Sequence, residues 1–131
     1  MNEIVRSDEL APPIGFAHAV VAGPGRTVHL GGQTAQDPSG AIVGDTLLEQ
    51  FDQACGNVAV ALRAAGGQPS DLVSLVIYVT DLDGYRGSLR ELGRVHQRHF
   101  GRHYPAMALF GVTGLMDPAA MVELVGVAVV P

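Results

Sequence analysis

The chain has 131 residues, enough for one domain with a single core and too few for two, so residues 1–131 read as one unit. Apolar residues form 47% of it and charged residues only 16%, below the usual share of about 25%; charge cannot cover the whole outside, and a homo-oligomer is expected. All eight basic residues are arginine, which removes Schiff-base chemistry, lysine-anchored pyridoxal phosphate and the lysine-bearing P-loop, while a net charge of −5 disfavours nucleic acid as a partner.

The N-terminal MNEIVRSDELAPP has no apolar signal core, and the longest apolar run near the C-terminus is far short of a membrane span. A cytoplasmic protein without a membrane partner is the expectation. After this extended arm, AHAVVAG and RTVHLGGQT read as two strands that Gly23-Pro24-Gly25 would join into a hairpin. DPSG at 37–40 is a turn, and Thr46 with Glu49 three residues on forms a capping box. From there Leu47, Leu48, Phe51, Cys55, Val58, Leu62 and Ala65 fall on one helical face, until Gly66-Gly67 ends the run. The lone Cys55 lies on that face and reads as a buried structural thiol.

LVSLVIYVT, residues 72–80, is short and β-branched and predicts a central strand buried on both faces. Residues 84–100 are helical in their spacing of Tyr85, Leu89, Leu92, Val95 and His99, with Gly101 as the stop. AMALFGVTG and AMVELVGVAVV close the chain as strands around a turn at Asp117-Pro118. The order β-β-(β)-α-β-α-β-β predicts an α+β fold, a two-layer sandwich of a mixed sheet with both helices on one face.

Glu123 is the only charge in the last fourteen residues, set among valines. Such a carboxylate is either a site residue whose surroundings favour acid-base work or an edge charge that discourages strand pairing. His96, His99 and His103 have a spacing that a metal could use, but Gly101 interrupts it and no thiolate or carboxylate completes a shell; helix-dipole pairing fits equally, and no metal is assigned. Arginines 86, 90, 94, 98 and 102 recur every four residues, either as a solvated stripe or as an anion-binding wall with Arg102 nearest the strand entry. Gly31-Gly32-Gln33 would bring bare backbone and an amide near a ligand, while His18 and His29 read first as structural.

Together GFAHAVVAG, HLGGQT, the helix ending AAGG, SLVIYVTDL, HYPAMALFGVTGL and MVELVGVAVV resemble the RidA (YjgF) family, from about Gly15 to Val130. The resemblance implies a chorismate-mutase-like fold, a homotrimer with clefts between subunits, and hydrolysis of small enamines and imines to keto acids without metal or organic cofactor. It implies Glu123 as the water-activating catalytic residue and Gln33 and Gly32 in the cleft. Gly15-Phe16-Ala17 corresponds to the family's Gly-Pro-Tyr, and Pro105-Ala106-Met107 to its Pro-x-Arg, whose arginine grips the substrate carboxylate. Met107 departs from that pattern, which removes an interaction worth about 1.5–3 kcal/mol. It suits either an uncharged ligand or plain core filling. With Ala17, His18 and Arg102, these residues form the candidate set for binding a small metabolite, by modified deaminase-type hydrolysis or by non-catalytic sensing; RNA cleavage is disfavoured by the charge. Light scattering is expected to give three times the 13.7 kDa chain mass, and a monomer would refute the surface argument.

Overall fold

Local chemistry starts the first helix where the capping box predicts. In the computed structural model, which describes residues 1–131, the Thr46 hydroxyl accepts from the Glu49 amide at 3.1 Å and the Glu49 carboxylate accepts from the Thr46 amide at 3.2 Å. Two otherwise orphaned donors are thereby satisfied, and α1 runs from Leu47 to Ala64. Its apolar face, with Phe51, Cys55, Val58 and Leu62 almost fully buried, packs on the sheet. Burial pushes the Cys55 thiol pKa well up, in keeping with an inert packing role.

Six strands and three α-helices form in all: β1 (Glu3–Val5), β2 (Ala19–Val21), β3 (Arg26–His29), α1, β4 (Leu72–Val79), α2 (Leu82–Arg86), α3 (Leu89–Phe100), β5 (Ala106–Gly111) and β6 (Val122–Val130). A four-stranded mixed sheet has the order β3-β6-β4-β5, with β4 and β5 parallel and the other pairs antiparallel. Leu75, Ile77 and Val79 of β4 and Val122 and Leu124 of β6 point to the helices and form the core with Leu92 and Val95 of α3. The α+β sandwich predicted from the element order is the fold observed.

Three expectations change in detail. The predicted hairpin does not form: β2 pairs with β1, and β3 with β6. The reason lies in Asn2, whose side-chain oxygen accepts from the Gly23 amide at 3.0 Å while its amide nitrogen donates to the Asp71 and Val129 carbonyls, each at 3.3 Å. That clamp lays the N-terminal arm beside β2. The helix predicted over 84–100 is divided at Gly87-Ser88, because Asp81 caps a separate short turn through the Gly84 amide at 2.9 Å. Finally, β4 is sealed on one face only; Val76 and Tyr78 on the other are half-buried, because α1 and α3 both lie on one side.

Removing the clamp by Asn2→Ala is expected to destabilise the protein by about 1–2 kcal/mol in chemical denaturation at fixed protein concentration. Amide exchange should speed up first in Glu3–Val5 and Ala19–Val21.

Candidate functional site

Glu123 is positioned by the anchored start of its strand and by the strand's register. The buried Gln50 of α1 donates from its amide to the Gly44 and Ala119 carbonyls at 3.1 and 2.9 Å and accepts from the Met121 amide at 2.8 Å, fixing where β6 begins. On β6 the alternation sends Val122 and Leu124 to the core and Glu123 to the opposite face, where it is half-buried. Its register partner is Tyr78 on β4, and Tyr78 in turn stacks on Phe110 of β5 with ring centroids 5.9 Å apart.

Next to Glu123 the chain bulges. Leu30 donates to the Gly126 carbonyl at 2.9 Å and Gln33 to the Leu124 carbonyl at 2.8 Å, so Gly31 and Gly32 together oppose the single Val125. Two residues against one is the mark of a β-bulge. A Cβ at Gly32 would collide with the Glu123 carboxylate, so only glycine leaves the carboxylate its place. Asn57 of α1 holds the outgoing segment by donating to the Thr34 and Gln36 carbonyls at 2.9 and 2.8 Å. Gln33 folds its own amide back to the Gly31 carbonyl at 3.1 Å. Glu123, Gly32 and Gln33 are thus brought together.

Met107 lies on the other side of the sheet. Its register partner on β4 is Leu75, a core residue, and Met107 packs against the core. Beside it Ala17 is buried and donates its amide to the Pro105 carbonyl at 2.9 Å, pairing in parallel with Ala106. That bond lays Ile14–Phe16 along the rim of a cavity of about 470 Å³ enclosed by β5, Tyr85 and one face of α3, with Met107 in its wall. Within one chain, therefore, Met107 and Ala17 meet, and Met107 and Glu123 do not.

The remaining candidates have other partners. His18 is exposed; its Nε2 donates to the Ala11 carbonyl at 2.7 Å and its ring stands edge-on to Phe16. Arg102 is exposed after α3 and is not among the residues lining the cavity. Arg98 pairs with Asp52 at 2.7 Å and Arg86 with Asp83 at 3.4 Å, so the arginine stripe is partly neutralised. The three histidine rings do not converge on one point: His96 donates to the His103 carbonyl at 2.8 Å, His103 to the Leu72 carbonyl at 2.7 Å, and His99 meets Asp52 at 2.6 Å. Gln50 and Asn57 are positioning residues that the sequence reading passed over; the signal was polar side chains flanking an otherwise apolar helical face.

Two titrating groups border the cavity. Burial, and secondarily the Cys55 thiol, push the Tyr85 phenol up to about 12, so it stays protonated. Desolvation holds His96 below the ordinary histidine pKa, outweighing its hydrogen bond to His103; its ring stacks on Tyr104 at 4.8 Å.

A fold of this kind matches known proteins. Residues 7–130 fit the family model described as Endoribonuclease L-PSP, and the chain belongs to that family, the RidA (YjgF) family. A Rid-family protein of unknown function from Yersinia pestis, YyfB, is similar in structure, with a TM-score of 0.88 and 31% identity over 98% of each chain. The human 2-iminobutanoate/2-iminopropanoate deaminase is 27% identical over 105 residues, 79% of this chain and 73% of its own length. A RutC family protein of Pyrococcus horikoshii is 27% identical over 88% of each chain.

The lowered pKa of His96 has a sign that can be checked. The unfolded histidine takes up a proton below about 6.5 while the folded one resists it, so this contribution to stability is present above pH 6.5 and is lost as pH falls toward the folded pKa. Replacing His96 by Phe should flatten the pH dependence of unfolding free energy below about pH 6.5. An unchanged slope would show that His96 does not carry it.

Proposed function

We propose that the chain is a RidA-type protein acting as a homotrimer on a small imine, enamine or carbonyl-related metabolite, by hydrolysis in a cleft between subunits. The observation that carries this reading is the Glu123 carboxylate seated over the bare backbone of Gly32, with Asn57 holding the segment after the bulge and Gln50 the start of β6. A half-buried carboxylate beside unobstructed backbone can take a proton from water while the substrate's polar end lies along the glycines. The open sheet face, with Tyr78, Phe110 and the valines of β6, is the surface a neighbouring subunit would cover. The kinship with a protein named as a 2-iminobutanoate/2-iminopropanoate deaminase supports the reaction class.

With Met107 in the place of the carboxylate-gripping arginine, binding of an anionic imino acid is weakened about ten- to a hundred-fold, and a less anionic substrate is favoured. Arg102 and His18, both exposed in the isolated chain, would join the cleft only through a neighbouring subunit. Non-catalytic metabolite binding is the second reading, favoured by the separation of Met107 and Glu123 on opposite faces of the sheet. RNA cleavage gains no support from a net charge of −5 and a partly paired arginine stripe.

The deciding assay is hydrolysis of freshly generated 2-aminoacrylate and a panel of 2-imino acids by the native protein, Met107→Arg and Glu123→Gln. Native turnover should be slow, Met107→Arg should raise kcat/KM for anionic substrates about tenfold or more, and Glu123→Gln should abolish turnover in either background. Full activity in Glu123→Gln would remove it from the mechanism, and ligand retention without product would support the binding module.

A further inference from the structure

Histidines 96, 99 and 103 have no role in the reading built on Glu123, yet all three tie down one turn. That turn, Gly101 to Pro105, joins α3 to β5. His99 holds the end of α3 to α1 through Asp52, which also takes Arg98 at 2.7 Å. His96 donates to the His103 carbonyl at 2.8 Å and so ties the outgoing chain back to the helix, while His103 donates to the Leu72 carbonyl at 2.7 Å and pins the turn to the start of β4. Just beyond, the Pro105 carbonyl accepts from the Ala17 amide at 2.9 Å, so the turn also sets where the Ile14–Phe16 segment lies.

These pins differ in their response to a proton. A protonated His99 pairs with the Asp52 carboxylate as a charge-assisted bond, so α3 stays docked on α1 in acid. His96 has no such partner: its ring is 5% exposed, stacked on Tyr104 at 4.8 Å and edge-on to Phe100 at 5.1 Å. Around it stand Tyr85 from α2, Tyr104 and His103 from the turn, and Phe51, Ile77 and Met107 from α1, β4 and β5, with no carboxylate among them. On α3 itself Glu91, Arg94 and Arg98 line a separate groove against α1. A proton on His96 is therefore a buried charge without a counter-ion, and a charge on His103 repels it. Gly101 supplies a hinge: its φ of 68° lies where glycine is favoured, and a Cβ there would meet nothing within 4 Å, so the turn has room to swing.

We propose that the Gly101–Pro105 turn is an acid-released latch: when His96 takes up a proton, its ring leaves the stack with Tyr104, the bond to the His103 carbonyl is lost, and the turn swings at Gly101. The Ile14–Ala17 segment is then freed from β5 while Asp52 still holds α3. The sign follows from the closed turn favouring the neutral ring and the open turn exposing it to water. Opening gains up to about tenfold for each pH unit below about 6.5 and levels off once the closed form is protonated too. The latch requires nothing of Glu123. Failure of the imino acid assay leaves it standing, and a turn that stays closed in acid leaves that assay untouched.

The test is amide hydrogen exchange of the full-length protein at about pH 7.5 and about pH 5.5, read as protection relative to the intrinsic rate at each pH. Ala17 and Gly101, whose amides donate to the Pro105 and Gln97 carbonyls at 2.9 Å each, should lose protection by up to about tenfold at the lower pH, while the buried Val58 and Ile77 keep theirs. In His96→Gln the side-chain amide can still donate to the His103 carbonyl but does not titrate, so the pH dependence should vanish with circular dichroism unchanged; His99→Gln should leave it in place. Equal protection of Ala17 and Gly101 at the two pH values, a loss shared equally by Val58 and Ile77, or a pH dependence that survives in His96→Gln would overturn the proposal. Turn and core amides are compared in the native protein, so that comparison decides even where a variant does not fold.

Discussion

The two-residue period of the sheet is the constraint on which the rest of this molecule depends. β6 lies between β3 and β4 with its hydrogen bonds committed on both sides, so its register cannot slip by one residue without turning every side chain to the wrong face. That register puts Leu124 against α1 and Glu123 on the open side. The same period on β5, read through β4, puts Met107 on the helix side. Two candidate regions separated by the thickness of one sheet follow from nothing more than alternation.

The polar side chains that hold this frame act on backbone rather than on one another. Gln50, Asn57 and Asn2 each bond main-chain groups of segments far away in sequence. Buried or half-buried amides of this kind satisfy loop carbonyls and amides that would otherwise be desolvated without partners, and no fully buried side-chain polar atom is left unsatisfied. The bulge at Gly31-Gly32 is one product of that restraint, with the bond to Leu124 on one side and the grip of Asn57 on the other. It is also the feature that gives the Glu123 carboxylate its room.

Much of this was legible in the chain. The apolar spacing from Leu47 to Leu62, the capping box at Thr46 and the β-branched run at 72–79 are local signals, and each produced the element expected. Glu123 stood out because a lone charge in an apolar strand is costly to place, and Gly32 because paired glycines after a strand mark close approach. The hairpin failed because the Gly-Pro-Gly turn is a local signal overruled by Asn2, a residue some twenty positions upstream of it. The helix over 84–100 divided because Asp81 captured its first turn, a capping choice that periodicity does not register.

Composition and pattern alone determined the α+β class, the single core, the lack of lysine chemistry and the identity of the residues worth suspecting, because these depend on residue type and near-neighbour spacing. No helix is long and apolar enough to cross a membrane. Only the tertiary structure decided which suspects meet: Glu123 with Gly32, Met107 with Ala17 and the Tyr85 cavity, and the histidine rings with two backbone carbonyls and the Asp52 carboxylate. Proximity across a sheet is set by register and by which face the helices cover, and both are properties of the whole chain packed at once.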